Sequence, residues 1–209
     1  MKLVVFGASG RTGQHCIRQA LAKGHDITAV VRDPARIDIV DQHLTVVRAD
    51  VFAPTEIAGP VAGADAVISA LGESTAAQPN VCRDGVRSII LAMKENGARR
   101  LVAVGNSAHT PGKGDRLPRR AVQLLLRPIL RIPFTDVRNM EIEIAASDLD
   151  WTVIQAARMT DGPHTGQYRL VVDEHVPGGW KIARADVADA ILRAIEDGTT
   201  VRKVLAQAY

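Results

Sequence analysis

Aromatic side chains are scarce in this chain: they make up 3% of 209 residues, and three Phe, two Tyr and two Trp are all there are. A supply this thin offers no stacking platform for bases. No nucleic-acid-binding motif is present either, so nucleic acid is not an expected partner. Cysteine is rarer still. Cys16 and Cys82 fall in predicted helices without metal-ligand spacing and read as buried, inert thiols, so no metal site is expected. No apolar run reaches the roughly 18 residues that a membrane-spanning helix needs, which argues against integral membrane association. The chain opens on an apolar strand rather than on a secretory leader, and a cytoplasmic protein is expected. Internal repeats and low-complexity linkers are also missing.

What is present is a 46% hydrophobic chain with a net charge of +3, long enough for one domain with a sizeable core. Its opening carries the most information. The apolar run Lys2 to Phe6 meets Gly7, Gly10 and Gly13, with Ala8, Ser9, Arg11 and Thr12 between them, and a helix over 14–23 is predicted next. Strand, tight turn and helix are the context that a dinucleotide-binding fingerprint requires. One glycine permits backbone angles that a Cβ forbids, a second lets main chain approach a pyrophosphate, and a third lets helix pack closely on strand. Unpaired amides at the positive end of the helix then hold the phosphates.

The second strand, Asp26 to Val31, ends in Arg32, 19 positions past Gly13. An NAD site places Asp or Glu near there to bind the ribose 2′-hydroxyl, and Asp33 comes one residue too late for that role. Arg32, with Arg11 and Arg36 within reach, suits a 2′-phosphate instead, so NADP(H) is the expected cofactor. Arg36 also reads as a solvated helix residue.

Strands and helices go on alternating: strands over 44–48, 65–70, 100–104, 151–155 and 201–205, and helices over 81–96 and 184–196. This implies an α/β fold with a doubly wound, mostly parallel Rossmann-type sheet and helices on both faces. Such sheets bind ligands at the carboxyl ends of their strands, near the switch in strand order. The residues there are Gly7 to Gly13, Arg32, Asp50 and Val51, Leu71 and Gly72, Asn106 and Ser107, and Arg158 and Met159. Those after the first three strands would hold the adenosine half; the later ones would hold nicotinamide and substrate. Asp50 could accept from the adenine amino group or cap the following turn.

The glycine segment resembles that of the atypical short-chain dehydrogenase/reductase proteins. So do Val31 to Asp33, Asp65 to Ile68, Asp84 to Arg87, Leu149 to Thr152, Asp161 to Tyr168 and Ala183 to Ala188. Within that family the chain is most similar to the group containing biliverdin reductase B, also called flavin reductase. Many of these reductases use a Tyr-x-x-x-Lys pair as proton donor. The corresponding positions are Phe134 and Arg138, and neither Tyr168 nor Tyr209 has Lys four residues later. The biliverdin reductase B group lacks the pair too. The resemblance therefore implies hydride transfer to an acceptor that needs little acid assistance: a flavin, a quinone or a tetrapyrrole.

Ser107 matches the serine position at the end of the fifth strand in this family. It reads either as a hydroxyl beside the nicotinamide or as a polar loop residue. His109 could supply a proton near neutral pH. Arg158 could hold an acidic substrate, a cofactor phosphate or a surface carboxylate, while Asp186 reads as a cap of the last helix. The segment from Arg116 to Arg131 carries five arginines and no acid. It reads as a lid, an oligomer surface, a contact with anionic lipid or a helix with a solvated basic face.

The expectation is a single domain over 1–209, with 110–133 a lid-like basic insertion and 150–209 the substrate side. It would act as an NADPH-dependent reductase of a small conjugated acceptor, as a monomer or homodimer. The alternative is a non-catalytic NADP(H) sensor like the NmrA-like regulators.

Overall fold

The first strand, β1 (Lys2–Phe6), is buried at four of its five positions, as an apolar run covered on both faces must be. Around it a computed structural model, describing residues 1–72, 75, 77–107 and 134–209, builds an eight-stranded sheet. Its other strands are β2 (Asp26–Val31), β3 (Leu44–Arg48), β4 (Ala66–Ser69), β5 (Arg100–Asn106), β6 (Asp150–Ala156), β8 (Arg169–Val172) and β10 (Lys203–Ala208). The order is β3-β2-β1-β4-β5-β6-β10-β8, parallel throughout except where β8 runs against β10. Strand order reverses between β1 and β4, where Phe6 pairs with Ser69, so the carboxyl ends of these two strands flank the switch-point crevice. The doubly wound sheet is as expected.

Alternation along each strand divides the core in two. On one face Leu3, Val5, Ile68 and Val102 pack with Ile17 of α1 (Arg11–Ala22) and Ile191 of α5 (Arg184–Glu196). On the other, Val4, Phe6, Val67 and Leu101 pack with α2 (Pro54–Val61), α3 (Val81–Asn96) and α4 (134–145). Cys16 and Cys82 are buried, one in each core, and burial pushes the Cys16 thiol up to about 12. As expected, α3 stops at Gly97, whose φ of 75° is the left-handed conformation that ends helices. At its other end the buried Asp136 of α4 accepts from the amides of Cys82 at 2.8 Å and Arg83 at 2.9 Å. One helix thus caps another.

Several boundaries differ from the sequence reading. Helix α1 starts at Arg11 rather than Gln14, because Gly10 is its extended N-cap and Gly13 lies buried in the first turn. The last strand begins at Lys203, since the positive φ of Arg202 (57°) places the preceding residues in a turn. Helix α2 was not foreseen: Pro54 at its start and Pro60 near its end give the segment the look of a loop. Nor were β8 or the small parallel sheet of β7 (Arg158–Thr160) and β9 (Lys181–Ala183), which are too short to show a period.

Candidate functional site

The glycine loop is shaped by close approach. Gly7 has φ +72°, and a Cβ there would run into the carbonyl of Ala70 at the end of β4. A Cβ at Gly13 would overlap the carbonyl oxygen of Gly7 and lie 2.8 Å from Ala8 Cα. Loop and helix are thereby locked to the strand ends on both sides. Gly10 N donates to Gly7 O at 2.9 Å, and Gln14 N to Gly10 O at 2.9 Å. Among the described residues no side chain caps α1, and no acidic residue lies in its first turn. The positive end of α1 is left for an anion.

A cleft of about 270 Å³ opens over this loop. At one end it is walled by Val31, Arg32, Arg36, Val51 and Phe52. Asp33, too late in sequence to meet a ribose, accepts from Ala35 N at 3.1 Å and caps the short 3-10 turn Pro34–Arg36 that carries Arg36 to the cleft. Neither Arg32 nor Arg36 has a carboxylate partner among the described residues. Asp50 takes the capping alternative: its Oδ1 accepts from Phe52 N at 3.0 Å, and it does not line the cleft.

At the other end stand Leu71, Gly72, Val104, Met159 and Arg184. Thr12 Oγ1 lies 3.8 Å from Met159 Sδ, joining the glycine loop to this wall. Arg11, expected near the 2′-phosphate, turns instead to Asp161 at 3.0 Å, which Arg184 also binds at 2.6 Å. Burial would raise the Asp161 carboxyl, but the two guanidiniums outweigh it and hold it below the ordinary range.

Ser107, only 4% exposed, donates to the carbonyl of Ala156 at 3.3 Å and ties β5 to β6; it does not line the described cleft. Asn106 is half-buried, Arg158 is exposed, and neither lines the cleft. His109 and the segment Arg116 to Arg131 lie outside the described residues. Of α4, Phe134 is half-buried and Arg138 exposed. Deeper on that helix, Glu141 accepts from Gln155 Nε2 at 2.9 Å against the bare backbone of Gly105.

Beyond the cleft, α5 anchors the 161–168 loop. Asp186 does not cap its own helix; its fully buried carboxylate accepts from Thr165 N at 2.8 Å, Gly166 N at 2.9 Å and Tyr209 OH at 2.5 Å. Tyr168 OH donates to Asp189 at 2.6 Å. No group of His, Cys, Asp and Glu able to hold a metal ion is found among the described residues.

Sequence reading missed Phe52, Asp161 and Arg184. Phe52 follows Asp50 and Val51 in the same strand-end segment, and so was within reach of the switch-point rule. Arg184 opens a helix, where a side chain reads as ordinary solvated charge. Only the fold brings it opposite Arg11.

Comparison with known proteins agrees with this geometry. The chain is 27% identical to the uncharacterized protein YwnB of Bacillus subtilis over 208 residues, 94% of this chain and 92% of that one. A Bacteroides thetaiotaomicron protein named as a candidate epimerase superposes with a TM-score of 0.84 at 28% identity, covering 100% and 96% of the two chains. A Veillonella parvula short-chain dehydrogenase/reductase solved in complex with NADP superposes with a TM-score of 0.80 at 19% identity, covering 100% and 94%. With residues 7–198 matching the family model described as NAD(P)H-binding, the chain belongs to the NAD(P)H-binding family of Rossmann-fold proteins.

Proposed function

We propose that the protein is an NADPH-dependent reductase that delivers hydride to a flat conjugated acceptor, a flavin or a quinone. The observation that carries this reading is the single cleft joining the uncapped start of α1 to Arg32 and Arg36, two guanidiniums without carboxylate partners among the described residues. The α1 amides and the glycine loop would hold the diphosphate. Arg32 and Arg36 would take the 2′-phosphate as charge-assisted forks, with Phe52 and Val51 against the adenine. Bound NADPH would supply the hydride. The protein's share would be orientation and exclusion of water, and Leu71, Val104 and Met159, which line the cleft, would form the apolar wall against the nicotinamide. The acceptor would lie on the side formed by 150–209, with Ser107 and His109 the candidates for proton handling and Asn106 and Arg158 for contacts around them. The likeness to the biliverdin reductase B group favours such acceptors, because Phe134 and Arg138 stand where a Tyr and Lys would polarise a carbonyl.

The same two residues favour a second reading, an NADP(H)-binding sensor without turnover. Titration of NADPH, NADP⁺ and NADH, followed by addition of FMN and a quinone with absorbance monitored at the reduced nicotinamide band, separates the two. Tight NADPH binding with acceptor-dependent oxidation is the expected result. Tight binding with no oxidation by any acceptor would replace the reductase by the sensor, and no binding would end both readings.

A further inference from the structure

Two arginines from opposite halves of the chain meet at one carboxylate. Arg11 belongs to the first turn of α1 and Arg184 to the first turn of α5; their NH1 atoms bind separate oxygens of Asp161, at 3.0 and 2.6 Å. Both arginines line the cleft, whereas Asp161 does not. The exposures differ sharply. The Arg184 side chain is 12% exposed and held within the structure, while that of Asp161 is 62% exposed at the outer lip. Two guanidiniums brought together at the open end of a helix repel each other unless an anion lies between them, and Asp161 is that anion. It uses one nitrogen of each fork, and each fork has other N–H groups to offer.

We propose that Arg11 and Arg184 form a second anion subsite, separate from Arg32 and Arg36, which takes a phosphate group of a bound ligand in exchange for Asp161. The inference rests on the cofactor reading above for the identity of the cleft. The subsite chemistry is phosphate, from either the cofactor diphosphate or a phosphate-bearing acceptor such as FMN. Asp161 acts as a resident counter-anion: it offsets the repulsion between the two forks, and it competes with the incoming phosphate.

The test is calorimetric titration of the full chain with inorganic pyrophosphate, NADPH, FMN and riboflavin, using wild type, Asp161→Asn and Arg184→Gln. Asp161→Asn removes an exposed competitor and should tighten pyrophosphate about two- to fivefold, the scale of an exposed ion pair. Arg184→Gln should weaken it about tenfold, the scale of a charge-assisted hydrogen bond. NADPH shifting in parallel assigns the subsite to the cofactor. FMN shifting while NADPH and riboflavin do not assigns it to the acceptor. Unchanged pyrophosphate affinity in both variants, or weaker binding by Asp161→Asn, overturns the exchange, since the bridge would then be a surface ion pair or a fixed scaffold. If wild type binds pyrophosphate with this pattern but not NADPH, the cofactor reading fails and the subsite stands. If NADPH binds wild type and pyrophosphate, NADPH and FMN each bind Arg184→Gln as they bind wild type, the subsite fails and the cofactor reading stands. Asp161 is exposed, so its variant tests the exchange even if the partly buried Arg184→Gln does not fold.

Discussion

Gly85 of α3 lies so close to Leu71, at the end of β4, that a methyl group on residue 85 would sit 2.6 Å from the leucine Cδ1. The neighbour is the tip of a flexible side chain, so the conflict can be relieved by turning Leu71, which also walls the cleft. Gly85→Ala should therefore cost about 1 kcal/mol or less in stability while lowering NADPH affinity, because the leucine is driven into ligand space. Gly13→Ala differs in kind. Its Cβ meets the carbonyl of Gly7 and, at 2.8 Å, the Cα of Ala8, both backbone. That variant should lose several kcal/mol and unfold readily, in keeping with severe overpacking. Denaturant titration of both variants, with NADPH titration of the first, checks the contrast.

The guanidiniums of Arg32 and Arg36, which have no carboxylate partner among the described residues, make a prediction about discrimination under the proposed cofactor reading. Arg32→Ala should weaken NADPH about tenfold or more, the loss of charge-assisted hydrogen bonds to a phosphate. NADH affinity should change about twofold at most, since only the 2′ substituent differs. Equal loss for both cofactors would mean that Arg32 meets some other part of the ligand. The turn under Arg36 is tested by Asp33→Ala, which leaves Arg36 in the chain but removes the 3.1 Å bond from Ala35 N that fixes its approach. Its effect should fall on NADPH alone and be smaller than that of Arg32→Ala.

Asp186 holds the 161–168 loop on α5, and its charge makes that hold pH-dependent. Burial would raise its carboxyl, but Tyr209, the amides of Gly166 and Thr165 and the Thr165 hydroxyl together keep it below the ordinary value of 3.8. A folded value below the unfolded one contributes stability that is present above about pH 4 and lost as pH falls through the folded value. Asp186→Asn should cost about 2 kcal/mol at neutral pH and flatten the stability profile below pH 4. Thermal unfolding from pH 3 to 7 measures both. A variant with the wild-type acid limb would show that another carboxylate governs it.

What the sequence disclosed and what it hid follow from the range of the interactions. The glycine spacing, the apolar run of β1 and the arginine that ends β2 are local patterns, and they foretold the doubly wound sheet, the switch point and an arginine in the wall of the cleft. The residues gathered by long connections stayed hidden. Asp161 and Arg184 stand 150 and 173 positions after Arg11, and no periodicity records that they meet. Asp186 in the first turn of a helix has the look of a cap, yet its acceptor oxygens face a loop 20 residues earlier. Ser107, chosen for its position after β5, donates to the neighbouring strand, an orientation that chain position alone does not fix.

The tyrosines bear on whether any protein acid assists the chemistry. Tyr168 OH donates to Asp189 at 2.6 Å, and burial together with that carboxylate pushes its phenol well above the ordinary range. Tyr209 OH donates to Asp186 at 2.5 Å and is raised by burial and by that carboxylate. Neither ring lines the cleft. A phenol held by a carboxylate and raised in this way gives up its proton reluctantly, the opposite of what a lysine partner does for a catalytic tyrosine. Tyr168→Phe should therefore keep kcat within about twofold and lose about 1 kcal/mol of stability with the hydrogen bond. The steady-state rate of acceptor reduction should show no limb between pH 8 and 10 that this substitution removes. A drop in kcat well beyond twofold, with such a limb disappearing, would make Tyr168 a proton donor and require the 161–168 loop to swing toward the nicotinamide end.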